Sequence, residues 1–262
     1  MLVGGCDVGS ATGKAVIMQN GRIVSYVIIS STTRPEVTAR KAMDQALGKA
    51  GLSSLDELQF IIGTGYGRLK VPFASENVSE ITCHARGAQW MCPTVRTVVD
   101  IGGQDCKVMS IDANGKVIEF VMNDRCAAGT GRFFEAMARV LDCGLEGLSE
   151  LSLRGEKPSS ITSQCSVFAE SEVITLVNEG TDLPDIVAGL HNSIAGRLSS
   201  MVRKVGLIED AAITGGCAKN EGLVKALEIK LGVSVKKLSE DPQIAGAVGA
   251  AIIAGEKLAK RS

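Results

Sequence analysis

Short apolar runs ending on an aspartate and a glycine alternate along this chain with longer stretches whose apolar residues recur at three- and four-residue spacing. That alternation predicts strands followed by helices and hence an α/β fold. Gly5-Cys6-Asp7-Val8-Gly9-Ser10 closes a first short strand, and Val98-Val99-Asp100-Ile101-Gly102-Gly103 closes another with the same order, apolar-Asp-apolar-Gly. After each, the chain continues into a second strand and a turn: Lys14 to Met18 with Asn20-Gly21, then Lys107 to Asp112 with Asn114-Gly115. Both Asn-Gly pairs suit tight hairpins. Helical spacing runs from Glu36 to Lys49, Leu183 to Val205 and Glu221 to Leu231, and a last helix starts near Pro242. Phe60 to Gly65 and Ile213-Thr214-Gly215-Gly216 each read as a strand entering a glycine turn. Two homologous halves follow, residues 1–95 and 96–262, with the final helix, 243–258, packing back toward the first half.

Composition narrows the classes. With 262 residues and 45% hydrophobic content the chain can bury a substantial core, and a net charge of −1 with no basic stripe argues against nucleic acid or anionic lipid as a partner. The opening Met-Leu-Val-Gly-Gly-Cys-Asp-Val-Gly-Ser lacks the basic start and apolar stretch of a signal peptide, so the expected location is the cytoplasm. The longest weakly apolar run, Ile244 to Gly255, is mostly Ala and Gly. It falls short of the roughly 20 residues that span a bilayer and reads as a tightly packed helix.

The strand-end aspartates carry the first candidate chemistry. A carboxylate beside glycines whose amides are free can hold Mg²⁺ through water while the amides cradle phosphate oxygens. Asp7 and Asp100 read as a facing pair; Ser10, Thr12 and Lys14 add hydroxyls and a cation, and Gln104 an amide that could orient an attacking water. The plain alternative for either aspartate alone is a turn former. Val8 and Ala15 stand where a Walker loop needs a glycine and a hydroxyl, and the other glycine clusters miss the dinucleotide spacing.

Eight cysteines in a chain expected in the cytosol are not disulfide staples. Cys6, Cys83, Cys92, Cys106, Cys143 and Cys217 read as small hydrophobes in strands, helices and turns. Cys126 in Asn-Asp-Arg-Cys-Ala-Ala-Gly-Thr-Gly and Cys165 in Ser-Gln-Cys-Ser-Val-Phe-Ala-Glu-Ser-Glu each stand just before a helix-like run. Two thiolates are half the set a [4Fe-4S] cluster takes, and a second copy across a two-fold axis would complete it. Otherwise Cys126 packs a tight helix start and Cys165 is a core residue. Glu80 and His84, four apart on a helix, could share a metal or contact the cleft, and His191 reads as packing within its helix.

The aspartate loops, Ile213-Thr-Gly-Gly-Cys-Ala-Lys219-Asn220 and the closing Gln243-Ile-Ala-Gly-Ala-Val-Gly-Ala resemble the phosphate, adenosine and connecting motifs of the acetate kinase, sugar kinase, Hsp70 and actin superfamily. The Cys126 and Cys165 motifs look like those of activators of 2-hydroxyacyl-CoA dehydratases and of related ATPase subunits of benzoyl-CoA reductase. This resemblance implies two ribonuclease-H-like halves of an actin-like ATPase, with a helix-cluster-helix at a dimer axis. It also implies an oxygen-sensitive homodimer of an anaerobic metabolism, with one [4Fe-4S] cluster per dimer ligated by Cys126 and Cys165. ATP or ADP with Mg²⁺ would lie at Asp7 and Asp100, the phosphates at Ser10, Ala11, Thr12, Lys14, Gly102, Gly103 and Gln104, and the adenosine at Gly215, Gly216 and Lys219. The implied partners are a 2-hydroxyacyl-CoA dehydratase and a ferredoxin or flavodoxin. A benzoyl-CoA reductase type subunit and a cluster-free small-molecule kinase are the alternatives. Ala11, Gly13 and Cys106 depart from the family pattern, which has a run of threonines in the first loop and commonly a serine at the last position.

Overall fold

Residues 1–123, 127–162 and 166–261 are described by the computed structural model. Strands β1 (Leu2–Val8) and β2 (Thr12–Gln19) pair antiparallel in a register that sets Asp7 opposite Lys14. Asn20 and Gly21, with φ of 49° and 79°, turn β2 into β3 (Arg22–Ser30), the two-residue hairpin that an Asn-Gly pair favours. Helix α1 (Pro35–Ala50) then crosses over to β4 (Phe60–Thr64), which runs parallel to β1, and the short β5 (Glu76–Asn77) follows. The resulting order is β3-β2-β1-β4-β5.

After α2 (Glu80–Met91) the plan repeats: β6 (Thr97–Ile101), β7 (Cys106–Ile111) and β8 (Val117–Asn123) form an antiparallel meander. Helices α3 (Gly131–Val140), α4 (Leu145–Arg154), α5 (Ser166–Asn178) and α6 (Leu183–Val205) lead to β9 (Ala211–Thr214), parallel to β6. Helix α7 (Glu221–Leu231), β10 (Val235–Lys236) and α8 (Ala245–Ala259) complete the chain. The second sheet runs β8-β7-β6-β9-β10, strand for strand the order of the first.

Successive strand residues point to opposite faces, and in β1, β2, β4, β6, β7 and β9 both faces are covered, so these strands read as nearly continuous buried runs. Along β2, Ala15 and Ile17 pack with Ala39, Ala42 and Met43 of α1, while Val16 and Met18 face α2 and α8. The same inner core takes Val98, Met109 and Ile111 from the second sheet, so α2 and α8 are sandwiched between the two sheets. The outer face of the second sheet is closed by α3 to α7, with Phe133, Met137, Leu190, Ile194 and Leu198 at its centre. Each such buried side chain contributes roughly 1.5–3 kcal/mol relative to exposure. Close approach is bought by glycine: a β-carbon on Gly5 would overlap the Ala247 carbonyl, on Gly87 that of Ala245, and on Gly249 that of Cys83.

Three local expectations need correction. The Asn114-Gly115 turn is a three-residue loop: Asp112 N–H bonds Lys116 O, its carboxylate accepts from the Asn114 and Lys116 amides, and only Gly115 has positive φ, 75°. Asp112 captures the backbone before Asn114 can adopt the left-handed conformation. The last helix begins at Ala245, after a 3₁₀ turn at Pro242–Ile244 capped by the Asp241 carboxylate. Helix α3 begins at Gly131, so Ala127 to Thr130 separate it from Cys126. No helix among the described residues is long and apolar enough to cross a membrane.

Candidate functional site

The two sheets present the same residues, an aspartate, a lysine and a glycine from each, to one cleft of about 620 Å³, within the range of small-molecule sites. Asp7 lies opposite Lys14 across the β1–β2 pair and beside Thr64 of β4; Asp100 lies opposite Lys107 across the β6–β7 pair and beside Thr214 of β9. Lys14 Nζ is 3.1 Å from Asp7 Oδ2 and Lys107 Nζ is 3.5 Å from Asp100 Oδ2. The glycine after each threonine, Gly65 at φ 88° and Gly215 at φ 86°, is in the left-handed region. A β-carbon on Gly65 would strike the Asp7 carboxylate, and one on Gly215 would strike the Ile101 carbonyl and come within 3.1 Å of Asp100 Oδ1. Steric need and backbone conformation thus both require glycine there.

Charge within the cleft is unevenly satisfied. Burial opposes ionisation of Asp100, but His84, Lys107 and a 2.9 Å hydrogen bond from the Thr214 hydroxyl outweigh it and hold the carboxyl below the ordinary range. Burial likewise opposes the charge on Lys107, yet Asp100 and Asp105, the latter at 2.7 Å, raise its pKa above the usual lysine value. Asp7 Oδ2 is buried and, besides the Lys14 ammonium, receives no hydrogen bond from the described residues. A cleft lined by two strand-end carboxylates, one of them with an oxygen that no hydrogen bond satisfies, fits a divalent cation that takes its remaining ligands from water and phosphate, the usual habit of Mg²⁺. No group of three His, Cys, Asp or Glu among the described residues forms a closed metal cage.

The remaining predicted residues converge on this cleft. Ser10 and Ala11 abut the second loop, where a β-carbon on Gly103 would come within 2.7 Å of Ala11 Cβ and 2.8 Å of Ser10 Oγ. Gly102, Gln104 and Gly216 line the same wall. Thr12 Oγ1 accepts from Gln243 Nε2 at 3.3 Å, and Gln243 Oε1 accepts from Lys219 Nζ at 3.2 Å, which ties the first loop to the third glycine turn. Lys219 also donates to Asp241 at 2.7 Å. Phe134 and Glu135 of α3 and Leu145, Glu146 and Ser149 of α4 also line the cleft. Cys126 and Cys165 lie outside the described residues; α3 and α5, which follow them, pack on one another.

Glu80 and His84 both line the cleft but turn to different partners. Glu80 accepts from Arg68 at 2.9 Å, whereas His84 turns inward with Nδ1 3.1 Å from Asp100 Oδ1 and Nε2 4.0 Å from Asp7 Oδ2. The sequence reading missed Lys107, Thr64, Thr214 and Gly65. Lys107 was recoverable, because it follows Asp100 at the offset by which Lys14 follows Asp7. Cys6, Cys83 and Cys106 are buried and Cys92, Cys143 and Cys217 half-buried, all as free thiols, so the small-hydrophobe reading holds fully for three. Burial pushes the Cys83 and Cys217 thiols up to about 12, which keeps them unreactive.

Residues 5–254 match the BadF/BadG/BcrA/BcrD ATPase family. The chain belongs to that family. The (R)-2-hydroxyglutaryl-CoA dehydratase activating ATPase of Acidaminococcus fermentans is 43% identical over 258 residues, covering 98% of each chain. The solved structure of the activator of the 2-hydroxyisocaproyl-CoA dehydratase from Clostridium difficile with bound ADPNP superposes with a TM-score of 0.93 at 40% identity, covering 100% of this chain and 97% of that one. A ROK family glucokinase from Streptomyces griseus, 14% identical with a TM-score of 0.60 over 98% of this chain and 100% of its own, shares the fold alone. This member of the BadF/BadG/BcrA/BcrD ATPase family is thus an α/β protein of actin-like architecture, its two mixed sheets related by duplication.

Proposed function

We propose that this chain is the ATP-dependent, one-electron activator of a 2-hydroxyacyl-CoA dehydratase. The observation that carries the reading is the duplicated Asp-Lys-Gly set facing one cleft from two sheets, each aspartate paired in register with a buried threonine. Relatives that cover nearly the whole chain and are named as activators of such dehydratases support it. In this reading Asp7 and Asp100 hold Mg²⁺ on the nucleotide, and Lys14 and the loops at Ser10 to Thr12 and Gly102 to Gln104 hold the phosphates. Gln104 orients water for attack on the γ-phosphorus, with ADP as the leaving group. Gly215, Gly216 and Lys219 take the adenosine, whose base has Phe134 and Leu145 as the apolar part of its wall.

Cys126 and Cys165, with the same pair from a second copy, would ligate the [4Fe-4S] cluster, which supplies one-electron transfer. Ferredoxin or flavodoxin is the donor and the dehydratase the acceptor. A nucleotide touching both sheets can bias how the halves, 1–95 and 96–262, sit on each other, the hinge-type switch seen in closing clefts. The test is anaerobic purification with native mass, iron content, an EPR spectrum after dithionite reduction and ATP turnover on one sample. About four iron per dimer with a reduced-cluster signal is expected, lost in Cys126→Ala and Cys165→Ala, while Asp7→Ala and Asp100→Ala lose hydrolysis but keep iron. Iron-free protein after anaerobic reconstitution would remove the electron-transfer part. Undiminished hydrolysis in either aspartate variant would remove that residue from the site. Co-purification with unlike subunits would point to a benzoyl-CoA reductase type complex.

A further inference from the structure

His84 belongs to none of the glycine-turn motifs, yet it occupies the gap between the two aspartates. It projects from α2, buried to 6% exposure, with its two nitrogens toward carboxylates of different sheets. The Thr214 hydroxyl donates to Asp100 Oδ1 at 2.9 Å, so its oxygen is free to accept, and His84 Nδ1 lies 3.1 Å from it. Since Asp100 is ionised and only accepts, Nδ1 carries the hydrogen. The ring thereby feeds a short chain, His84 Nδ1–H to Thr214 Oγ–H to Asp100. Its other edge is closed by α8, where a β-carbon on Gly246 would come within 2.7 Å of Nε2 and 2.9 Å of Asp7 Oδ2. Helix α8, through the absence of a side chain there, leaves the imidazole the slot between the carboxylates.

We propose that His84 is a positioning residue for ATP hydrolysis. Through Thr214 it sets the orientation of Asp100, and through its ring it sets the spacing of Asp100 from Asp7, so that both carboxylates meet one cation. The inference rests on the ATPase reading above. It differs from simple packing in what it requires, a donor at the Nδ1 position and not merely volume. Asparagine puts an amide N–H close to where Nδ1 stands; leucine fills similar space with no donor.

The experiment measures kcat, KM for ATP, the Mg²⁺ concentration for half-maximal turnover and thermal midpoint in His84→Leu, His84→Asn and Thr214→Val. Removing a residue that orients a metal-binding group typically costs 10- to 100-fold, so roughly that loss in kcat is expected for His84→Leu and Thr214→Val. Half-saturation by Mg²⁺ should rise while KM for ATP changes little, and His84→Asn should recover most of both. The double variant His84→Leu/Thr214→Val should be no worse than the poorer single one, because the two act along one chain. Leucine and asparagine variants that equal the parent, or that fall together with the thermal midpoint, would overturn the proposal. Should His84→Leu fail to fold, parental kcat and Mg²⁺ dependence in Thr214→Val would overturn it instead. A parent protein that hydrolyses no ATP with Mg²⁺ present refutes the ATPase reading, a distinct result.

Discussion

Lys107 offers a direct test of the charge balance behind the cleft. Its side chain is 4% exposed and sits 3.5 Å from Asp100 and 2.7 Å from Asp105. At an effective dielectric constant near 20, a pair 3.5 Å apart attracts by about 5 kcal/mol, against a burial cost of several kcal/mol per ion. The net value of the pair is therefore small, but losing one partner strands the other. Lys107→Met keeps the volume and leaves Asp100 buried without its cation, and the expected destabilisation at pH 7 is about 3–5 kcal/mol. Arg40→Met is the control: Arg40 and Asp44 are 56% and 54% exposed, and such pairs are worth about 0–1 kcal/mol. Denaturant unfolding followed by circular dichroism measures both. Asp100 is held below the ordinary carboxylate range, so its favourable contribution is complete above that range and disappears as pH falls through its native value. Without Lys107 that native value rises. The deficit of the variant is thus full at neutral pH and shrinks on acidification, and adding Asp100→Asn should restore part of the loss. A deficit below about 1 kcal/mol, comparable to the surface control, would show that Lys107 is not the counter-charge of Asp100.

Two further outcomes follow from packing and burial. Gly249→Val places side-chain atoms on the Cys83 carbonyl and should cost at least about 1–3 kcal/mol; Gly48→Ala, in the exposed last turn of α1 with open space around it, should gain about 0.5–1 kcal/mol. Thermal midpoints separate the two, and equal effects would contradict the close helix crossing. Burial lowers the pKa of His191, which donates from Nδ1 to Val187 O at 2.8 Å and accepts at Nε2 from Asn220 Nδ2 at 2.9 Å. Below its ordinary value of about 6.5 the unfolded chain takes a proton that the native chain refuses, so stability should fall by up to about 1.4 kcal/mol per pH unit until the native value is reached. His191→Gln should flatten that segment of the stability profile, and an unchanged slope would assign it to another group.

What was legible in the sequence was local. A strand-end aspartate followed by glycine announces itself within six residues, and its recurrence exposed the duplication that the two sheets repeat strand for strand. Thr64 and Thr214 stand beside the aspartates, and Thr214 bonds Asp100, only because β4 and β9 pair in register with β1 and β6, a relation no single segment encodes. His84 was half legible: its spacing from Glu80 put both on the cleft side of α2, as one of the two readings had it, but the partners that each side chain takes, Arg68 and Asp100, come from other parts of the fold. Asn114 misled because Asp112, two residues earlier, competes for the same backbone. Gly87 and Gly249 read as weak helix positions in isolation, and only the crossing of α2 and α8 explains them.

The place of α8 also governs the order in which the protein can be assembled during synthesis. The inner face of the first sheet, built from residues made early, is covered by α8, so Val16, Met18 and Ile62 lack their neighbours Ala247, Val248 and Ala251 until α8, more than 180 residues later, has left the ribosome. The first half is in this respect not a unit that can finish ahead of the second. Both sheets must wait for the same helix, and the apolar surface that waits is the kind that recruits chaperones.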